Sequence, residues 1–256
     1  MDTLAARWAL LQPHTHVLGP EDDRPRPAVL LFHGCGGLRA HLPMYAEAAV
    51  KAGWRAFIVD SYGARGWPRE FGLAFVCTGL RFQGYKRAGD VLAAAWGVAQ
   101  RPDVDASNMV LAGWSHGSWS IMDLMTMGLL EPGEAALADP TPEPLAGVKG
   151  LFLAYPYAGY PALSRTREWV RAPKAVAVIA KQDHITAAAA AERLYERIRA
   201  AGVDVDVWTA HGTHAFDEPN STLPMRYDAA LTAESIGRFR GLLESVAAPE
   251  AESEAA

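Results

Sequence analysis

The sequence predicts an α/β fold, with a mostly parallel central sheet and helices on both of its faces. Two observations lead to this prediction. Apolar, β-rich runs alternate along the chain with segments of helical periodicity, and several of the runs are continuously hydrophobic, as strands covered on both faces are. Alternation of this kind is typical of parallel strands joined by crossover helices. The 256 residues, 50% of them hydrophobic, are enough for one such domain.

Six segments are predicted to be strands because they are short, apolar and rich in β-branched residues. They are "AVLLFHG" (28–34), "RAFIVD" (55–60), "NMVLAGW" (108–114), "VKGLFLAYP" (148–156), "KAVAVIAKQD" (174–183) and "VDVDVWTAHG" (203–212). The last of them alternates valine with aspartate, so we expect it near an edge of the sheet.

Helices are predicted between these strands. Apolar residues recur on one helical face in 85–100 and in 187–200, and the segment that follows residue 115 has a helical pattern as well. Thr186 is expected to cap the helix over 187–200, and Gly202 is expected to end it.

Two internal segments interrupt the alternation. Residues 61–84 form an excursion rich in glycine and aromatic residues, which we expect over the functional site because it follows the carboxyl end of a strand. Residues 131–147 are polar and proline-rich and are expected to form a surface insertion. The ending, 247–256, is expected to be disordered. No second core is evident, so residues 1–246 are predicted to form a single domain.

Composition and charge exclude several classes of function. The formal net charge is −5 and the basic residues are scattered, so we expect no nucleic-acid partner. No apolar run is long enough to span a membrane and no signal segment is recognisable, so a cytoplasmic protein without a membrane partner is expected. The two cysteines are too few for a disulfide framework and lack zinc-site spacing, and Cys77 is interpreted as a packing residue.

The strongest functional signal is "GWSHGS" at 113–118, directly after a predicted strand and before a helical pattern. This is the G-x-S-x-G nucleophile elbow in the strand–turn–helix setting that it requires. The turn holds the serine in a strained backbone conformation, and Gly113 and Gly117 avoid collisions with the neighbouring strand and helix. Ser115 is therefore a candidate nucleophile next to a helix N-terminus, which favours developing negative charge. An ordinary βα turn built from glycine and serine is the simpler alternative.

A serine hydroxyl is a poor nucleophile until a base removes its proton and an acid orients that base. His214, in "GTHAFD", follows the last predicted strand, and Asp183 ends the preceding one. A lone aspartate before a helix is often only a cap. However, Ser115, Asp183 and His214 occur in the order and at the strand ends that α/β-hydrolases require, which favours a catalytic triad.

The oxyanion formed from an attacked carbonyl needs preorganised hydrogen-bond donors. One donor is the amide after the nucleophile, that of His116. The other is expected from the glycine-rich "HGCGG" (33–37), namely the amide of Cys35. The thiol of Cys35 has no paired base in its motif, which argues against a nucleophilic role. This motif fits neither the dinucleotide fingerprint nor a P-loop.

Taken together, "RPAVLLFHGCGG", "FIVDSYGARG", "GWSHGS", "AKQD" and "GTHAFD" resemble the dienelactone hydrolase family of α/β-hydrolases. The resemblance implies the α/β-hydrolase fold and a hydrolase that acts on esters or lactones without a metal or organic cofactor. It also implies that Ser115 is the nucleophile, Asp183 the acid and His214 the base. The namesake enzymes carry cysteine as the nucleophile, so this chain resembles the serine-bearing branch of the family. Dienelactone is therefore not transferred as its substrate.

Several further residues are candidates for substrate binding. Arg65 and Arg81, in the excursion, suit a carboxylate on the substrate, although solvated loop arginines are equally compatible with the sequence. Trp114 and Tyr155 are expected to line an aromatic pocket, although core packing is equally compatible with aromatic residues at these positions. His184 adjoins the candidate acid and is a further pocket residue.

The leading functional hypothesis is a serine hydrolase that cleaves a carboxylic ester or lactone through an acyl-enzyme intermediate. A peptidase or acyltransferase with the same triad is one alternative, because the fold does not separate these activities. A non-catalytic binding protein that keeps the fold is the other alternative, and the complete triad and oxyanion loop argue against it. The sequence leaves the identity of the substrate and the oligomeric state open.

Overall fold

A seven-stranded sheet lies at the centre of the structure, a computed structural model that describes residues 1–247. Its strands are β1 (Thr15–Leu18), β2 (Arg26–Phe32), β3 (Arg55–Val59), β4 (Val104–Trp114), β5 (Val148–Ala154), β6 (Lys174–Gln182) and β7 (Val205–Thr213). Their order across the sheet is β1-β3-β2-β4-β5-β6-β7. β1 runs antiparallel to β3, and the other neighbouring strands are parallel. The tail expected at 247–256 lies, from residue 248 onward, outside the described residues.

Helices cover both faces of this sheet. They are α1 (Leu4–Leu11), α2 (His41–Lys51), the single turn α3 (Arg69–Phe71), α4 (Gly84–Ala99), α5 (His116–Met125), α6 (Ala188–Ala200) and α7 (Ala229–Ala247). Alternate residues of a strand point to opposite faces. On β2, Leu30 and Phe32 pack on the side of α1, α4, α5 and α6, whereas Val29 and Leu31 pack on the side of α2 and α7. The predicted α/β architecture is therefore confirmed.

The longest helix, α7, has 19 residues and carries several charged side chains. Neither α7 nor any other helix within residues 1–247 is both long and apolar enough to cross a membrane.

The strands follow the sequence prediction closely. Each of the six predicted strands is present, with bounds that differ by a few residues, and β7 lies at an edge of the sheet as expected. β1 is not predicted from the sequence. It has four residues, none of them buried, so it lacks the apolar run that marks the other strands.

The start of α6 differs from the expectation. Ala187 occupies the N-cap position and makes no side-chain cap hydrogen bond. The hydroxyl of Thr186 is buried and has no partner within residues 1–247. The Asp183 carboxylate instead accepts hydrogen bonds from the amides of Ile185 (2.7 Å) and Thr186 (2.9 Å). The prediction that Thr186 caps this helix is therefore wrong, and an aspartate closes the turn that precedes it.

The segment 131–147, expected as a surface insertion, is partly built into the core. It forms two short 3₁₀ turns, Glu134–Ala136 and Glu143–Leu145. Leu137 is fully buried and Leu145 is nearly so, and both belong to the core cluster that includes α4. The prediction rested on the polar and proline-rich composition of the whole segment, which does not show that Leu137 and Leu145 are packed into the core.

Candidate active site

The candidate catalytic side chains follow three different strands. Ser115 follows β4, Asp183 follows β6 and His214 follows β7. These strands are parallel, so their carboxyl ends lie at one edge of the sheet. The topology therefore brings together residues that are far apart in the chain.

The turn after β4 has the strained geometry of a nucleophile elbow. Ser115 has φ 52° and ψ −110°, a conformation that L-residues rarely adopt. A Cβ atom on Gly117 would lie 2.1 Å from the carbonyl oxygen of Phe32, and one on Gly113 would lie 2.5 Å from the amide nitrogen of Ser118. Both positions therefore require glycine, for the steric reason that the sequence suggested. The helix α5 begins immediately after the serine.

The three polar side chains form one hydrogen-bonded chain. His214 Nδ1 lies 2.7 Å from Asp183 Oδ2, and His214 Nε2 lies 2.9 Å from Ser115 Oγ. A carboxylate only accepts hydrogen bonds, so Nδ1 carries the proton and Nε2 accepts from the serine hydroxyl. The second carboxylate oxygen of Asp183 is held by the two amides of the following turn. The side chains of Asp183 and His214 are only 2% and 5% exposed, so their hydrogen bond is shielded from water.

Two backbone amides next to Ser115 are suitable donors for an oxyanion. The amide of His116 is at the first position of α5, where no intrahelical acceptor exists. The amide of Cys35 lies inside a turn that is closed by a 3.2 Å hydrogen bond from Gly37 N to Gly34 O. Neither amide has a hydrogen-bond acceptor within residues 1–247. A Cβ on Gly34 would lie 3.4 Å from the Cβ of Ser115, so the turn and the elbow are in close contact.

The imidazole of His116 is not available for acid–base work. Arg87 Nη1 donates to His116 Nδ1 at 3.1 Å, and His116 Nε2 therefore carries the proton and donates to the carbonyl of Phe82 at 2.8 Å. Burial lowers the pKa of His116 well below its ordinary value, and the charge of Arg87 lowers it further. Arg87 is itself fully buried and also donates to the carbonyl of His33 at 2.6 Å. These hydrogen bonds connect the turn at 33–37 to the turn that holds Ser115.

A buried aspartate joins the residues that flank the triad. The Asp217 carboxylate accepts hydrogen bonds from Tyr45 Oη (2.9 Å), Trp114 Nε1 (3.0 Å) and Tyr155 Oη (2.6 Å). Asp217 is 0% exposed, so these neutral donors replace water around its charge. Trp114 directly precedes the nucleophile, and the ring of Tyr155 packs against His214 with 4.8 Å between the centroids. Neither Tyr45 nor Asp217 is singled out by the sequence, because no motif marks them.

Two cavities open onto Ser115. The first, called here the His214 cavity, has a volume of about 410 Å³ and its lining includes His214, Trp114, Tyr155, Arg69, Leu73 and Met225. The second, called the Trp119 cavity, has a volume of about 360 Å³ and its lining includes Trp119, Tyr85, His116, Tyr157 and Tyr160. Trp114 and Tyr155, expected as pocket residues, both line the His214 cavity. Within residues 1–247, no group of three or more histidine, cysteine, aspartate or glutamate side chains is placed to hold a metal ion.

The excursion 61–84 reaches these cavities through a disulfide. Cys35 and Cys77 are bonded, with a Cα–Cα distance of 5.1 Å and a sequence separation of 42 residues. Both cysteines line both cavities. The interpretation of Cys77 as a packing residue is therefore wrong, because its sulfur links the excursion to the oxyanion loop. Two cysteines are too few to suggest a disulfide framework, yet they are enough for one bridge.

Arg65 does not face the cavities, contrary to the expectation. Its guanidinium binds the carboxylate of Asp90 at 2.8 and 2.9 Å and lies over the ring of Phe82. Asp90 is fully buried on α4, and Arg7 binds it as well at 2.8 Å. Burial alone raises the pKa of the Asp90 carboxyl, and the two arginines outweigh burial and lower it. Arg65 is thus needed to neutralise a buried charge.

Two other predicted pocket residues lie outside the cavities. The side chain of Arg81 is exposed and lines neither cavity. His184 is exposed, and its ring lies 6.1 Å from that of His214 without lining either cavity. Arg69, from the same excursion, lines the His214 cavity in their place. Sequence position alone does not tell which arginine of a long loop turns inward.

The fold and the site define the class of protein. A mostly parallel sheet, a strained serine at a strand–helix turn and a Ser–His–Asp chain across three strand ends are the features of the α/β-hydrolase fold. A model of the dienelactone hydrolase family matches residues 14–246, and the chain belongs to that family. The resemblance inferred from the sequence motifs is therefore confirmed. No curated protein matches the sequence.

Solved structures show the same fold. A dienelactone hydrolase-like promiscuous phosphotriesterase, P91, from metagenomic libraries shares 16% sequence identity with a TM-score of 0.64, over 91% of this chain and 92% of the other. A thermophilic esterase from the Planctomycetes species Thermogutta terrifontis, with butyrate bound, also shares 16% identity, with a TM-score of 0.65 over 92% of this chain and 91% of the other. At these identities the likeness concerns the fold.

Proposed function

We propose that this protein is a serine hydrolase that cleaves a carboxylic ester or a lactone through an acyl-enzyme intermediate. One observation carries the proposal: the His214 imidazole bridges Asp183 at 2.7 Å and Ser115 at 2.9 Å at the mouth of a cavity. The three side chains are linked through His214 at hydrogen-bond distances. This geometry supports the roles of nucleophile for Ser115, base for His214 and orienting acid for Asp183.

In the first half of the proposed reaction, Ser115 Oγ attacks the ester carbonyl carbon while His214 Nε2 takes the hydroxyl proton. The carbonyl oxygen becomes an oxyanion, which the amides of Cys35 and His116 stabilise. The bond from the carbonyl carbon to the alcohol oxygen then breaks, and the His214 imidazolium gives its Nε2 proton to the departing oxygen. Asp183 holds the imidazole in the required tautomer and stabilises its positive charge.

In the second half, water takes the place of the alcohol. His214 removes a proton from that water as it attacks the acyl carbon, and the oxyanion forms again at the same two amides. Collapse of this intermediate releases the carboxylic acid and returns the proton to Ser115 Oγ. The mechanism requires neither a metal nor an organic cofactor.

Family and cavity chemistry support an ester rather than an amide as the substrate. The family is one of hydrolases, and a structural neighbour with the same fold is an esterase. The His214 cavity is walled mainly by apolar and aromatic groups, as sites for small organic molecules are. Peptidase and acyltransferase activities use the same triad and stand as alternatives. A non-catalytic binding role would leave the strained serine and the buried triad without a purpose.

The experiment is a fluorophosphonate labelling assay followed by a screen of esters and lactones. We expect one label per chain, located at Ser115 by mass spectrometry of the peptide that contains Ser115, Ser118 and Ser120. We also expect hydrolysis of short p-nitrophenyl esters that is lost in Ser115→Ala. Ser120→Ala is the matched control, because the Ser120 hydroxyl donates only to the His116 carbonyl and should leave labelling intact. A label elsewhere, or an unaffected Ser115→Ala, would overturn the proposal.

A further inference from the structure

The two cavities meet at the nucleophile and differ in chemistry. Both are lined by Ser115, Cys35, Cys77 and Ile185, so the disulfide and Ile185 lie where they join. Charged side chains line only the His214 cavity, namely Arg39, Arg69 and Glu218. The Trp119 cavity is lined by aromatic, aliphatic and neutral polar groups. An ester bound across Ser115 would place one of its halves in each cavity.

The position of His214, which transfers the proton, determines which half of the ester occupies which cavity. The group that protonates the departing alcohol oxygen must lie within hydrogen-bond reach of it. His214 lines the His214 cavity and does not line the Trp119 cavity. The leaving group, and later the attacking water, must therefore be on the side of the His214 cavity. The acyl chain then extends past His116 to the opposite side.

Aromatic rings form one part of the wall of the Trp119 cavity, and the ring of Trp119 is held in place. Trp119 is 3% exposed, and its Nε1 donates to Asp123 Oδ2 at 2.7 Å. A Cβ on Gly84 would lie 2.4 Å from the indole ring, so the first turn of α4 packs directly against it. The rings of Trp119 and Tyr157 have centroids 5.0 Å apart, and the Tyr157 hydroxyl donates to the Tyr160 carbonyl. Tyr160 is 80% exposed at the rim.

We propose that the Trp119 cavity binds the acyl part of the substrate and that this acyl part is an uncharged aromatic group. The leaving alcohol occupies the His214 cavity. This inference rests on the proposed ester hydrolysis and adds to it the substrate class, namely esters of carboxylic acids that carry an aryl group. A cavity of about 150 Å³ is enough for a benzene molecule, and the Trp119 cavity, at about 360 Å³, exceeds that size.

The test compares two esters that share the leaving group and differ only in the acyl part: p-nitrophenyl 3-phenylpropanoate and p-nitrophenyl butanoate. The measured quantity is the ratio of their kcat/KM values. We expect the wild type to prefer the phenylpropanoate and Tyr160→Ala to lower the ratio by about threefold to tenfold, the range of an aromatic contact. Tyr160→Phe should keep the preference, because the ring remains.

Two variants serve as controls. Leu73→Ala, in the wall of the His214 cavity, should change both kcat/KM values by the same factor, since the two esters have the same leaving group. Leu130→Ala removes a 75% exposed side chain that lines neither cavity and should leave the ratio as it is. A ratio that responds to Leu73→Ala but not to Tyr160→Ala would overturn the inference.

A second substrate pair separates this inference from the proposed function. In 3-phenylpropyl acetate and butyl acetate the aromatic ring is on the alcohol side, so Tyr160→Ala should leave their ratio unchanged. If Tyr160→Ala acts on this pair instead, the cavities are assigned the wrong way round while ester hydrolysis stands. If the folded wild type hydrolyses none of the four esters and takes no fluorophosphonate label, the proposed function itself fails.

Discussion

The Tyr155 hydroxyl donates a 2.6 Å hydrogen bond to Asp217, and the same tyrosine packs its ring against the imidazole of His214. Burial raises the pKa of Tyr155 well above its ordinary value and the charge of Asp217 raises it further, so the hydroxyl stays protonated and donates. Asp217 also binds the indole of Trp114, the residue before the nucleophile. One buried carboxylate thus positions neighbours of both Ser115 and His214.

Removing the Tyr155 hydroxyl should therefore reduce stability more than catalysis. In Tyr155→Phe the ring still packs against His214, but Asp217 loses one of its three donors. We expect the free energy of unfolding to fall by about 1.5–3 kcal/mol, the range for a hydrogen bond to a charged group. We expect kcat to fall by about tenfold or less. Urea unfolding and steady-state kinetics measure the two effects, and an unchanged unfolding midpoint would contradict the role of Asp217.

Asp183→Asn tests the orienting acid with little change of shape. The asparagine oxygen can still accept from the amides of Ile185 and Thr186, which places its NH₂ group towards His214 Nδ1. The imidazole must then carry its proton on Nε2, where it cannot accept from Ser115. We expect kcat to fall by about 10³–10⁴-fold while the melting temperature stays close to that of the wild type. A loss below about tenfold would show that Asp183 is only a turn residue.

Gly117→Ala should be among the most damaging small substitutions in the chain. The new methyl group would lie 2.1 Å from the Phe32 carbonyl oxygen, and neither backbone segment can move without opening the junction of β2 and α5. We expect a loss of about 3 kcal/mol of unfolding free energy, the upper end of the usual range for overpacked cores. Gly241→Ala, on α7 with open space around it, is the matched control and should stabilise slightly. Equal thermal stability of the two variants would contradict the steric argument.

Asp123, which holds the indole of Trp119, should make stability depend on pH. Burial raises the pKa of Asp123 to about 6, so the folded protein binds this proton more tightly than the unfolded chain does. Its contribution to stability is present below about pH 4 and is lost as the pH rises through the folded-state pKa. Between these values the wild type should lose roughly 2–3 kcal/mol relative to Asp123→Asn, which does not titrate.

The measurement for Asp123 is denaturant unfolding of both proteins from pH 4 to pH 8. The difference in unfolding free energy should change across the lower half of this range and be constant above about pH 7. A difference that does not vary with pH would mean that the carboxyl is not perturbed by its surroundings.

The Cys35–Cys77 disulfide can be tested by counting the free thiols of the unfolded protein. The chain has two cysteines, so the protein unfolded without reductant should give no free thiol, whereas a count of two would contradict the bridge. Reduction should lower the unfolding free energy by about 2–4 kcal/mol and make residues 61–84 more sensitive to limited proteolysis. Disulfides are rare in the reducing cytosol, so this count also bears on the cytoplasmic location expected from the sequence.

The fold and the meeting of Ser115, His214 and Asp183 could be predicted from the sequence because each has a local signal. Buried parallel strands are continuous apolar runs, and the elbow has its glycines at fixed offsets from Ser115. Asp60 is a smaller example of a local feature: it directly follows β3 and accepts hydrogen bonds from the amides of Tyr62 and Gly63, both at 2.9 Å. These features depend on neighbours in the chain.

The parts that could not be predicted depend on distant partners. Its place in the excursion makes Arg65 a candidate for the pocket. Its actual partner, Asp90, is buried on α4 and lies 25 residues away in the sequence. The Asp217 network joins four separate segments of the chain, and nothing in "GTHAFD" marks its aspartate as a buried acceptor. Side-chain direction in the excursion is equally non-local, because Arg65 turns towards Asp90 on α4 and Cys77 is bonded to Cys35. Sequence motifs therefore locate the candidate catalytic residues, whereas tertiary packing determines which loop side chains point into the cavities.

The crowding at Gly117 also limits how this enzyme can be altered by directed evolution. A library that varies the elbow will be dominated by chains that do not fold, because no other side chain fits between β2 and α5. Within the loops 61–84 and 157–160, the cavity-lining residues Arg69, Leu73, Thr78 and Tyr160 are exposed and carry no such restriction. Libraries aimed at new substrate specificity should therefore vary these two loops and leave the residues at the carboxyl ends of the strands unchanged.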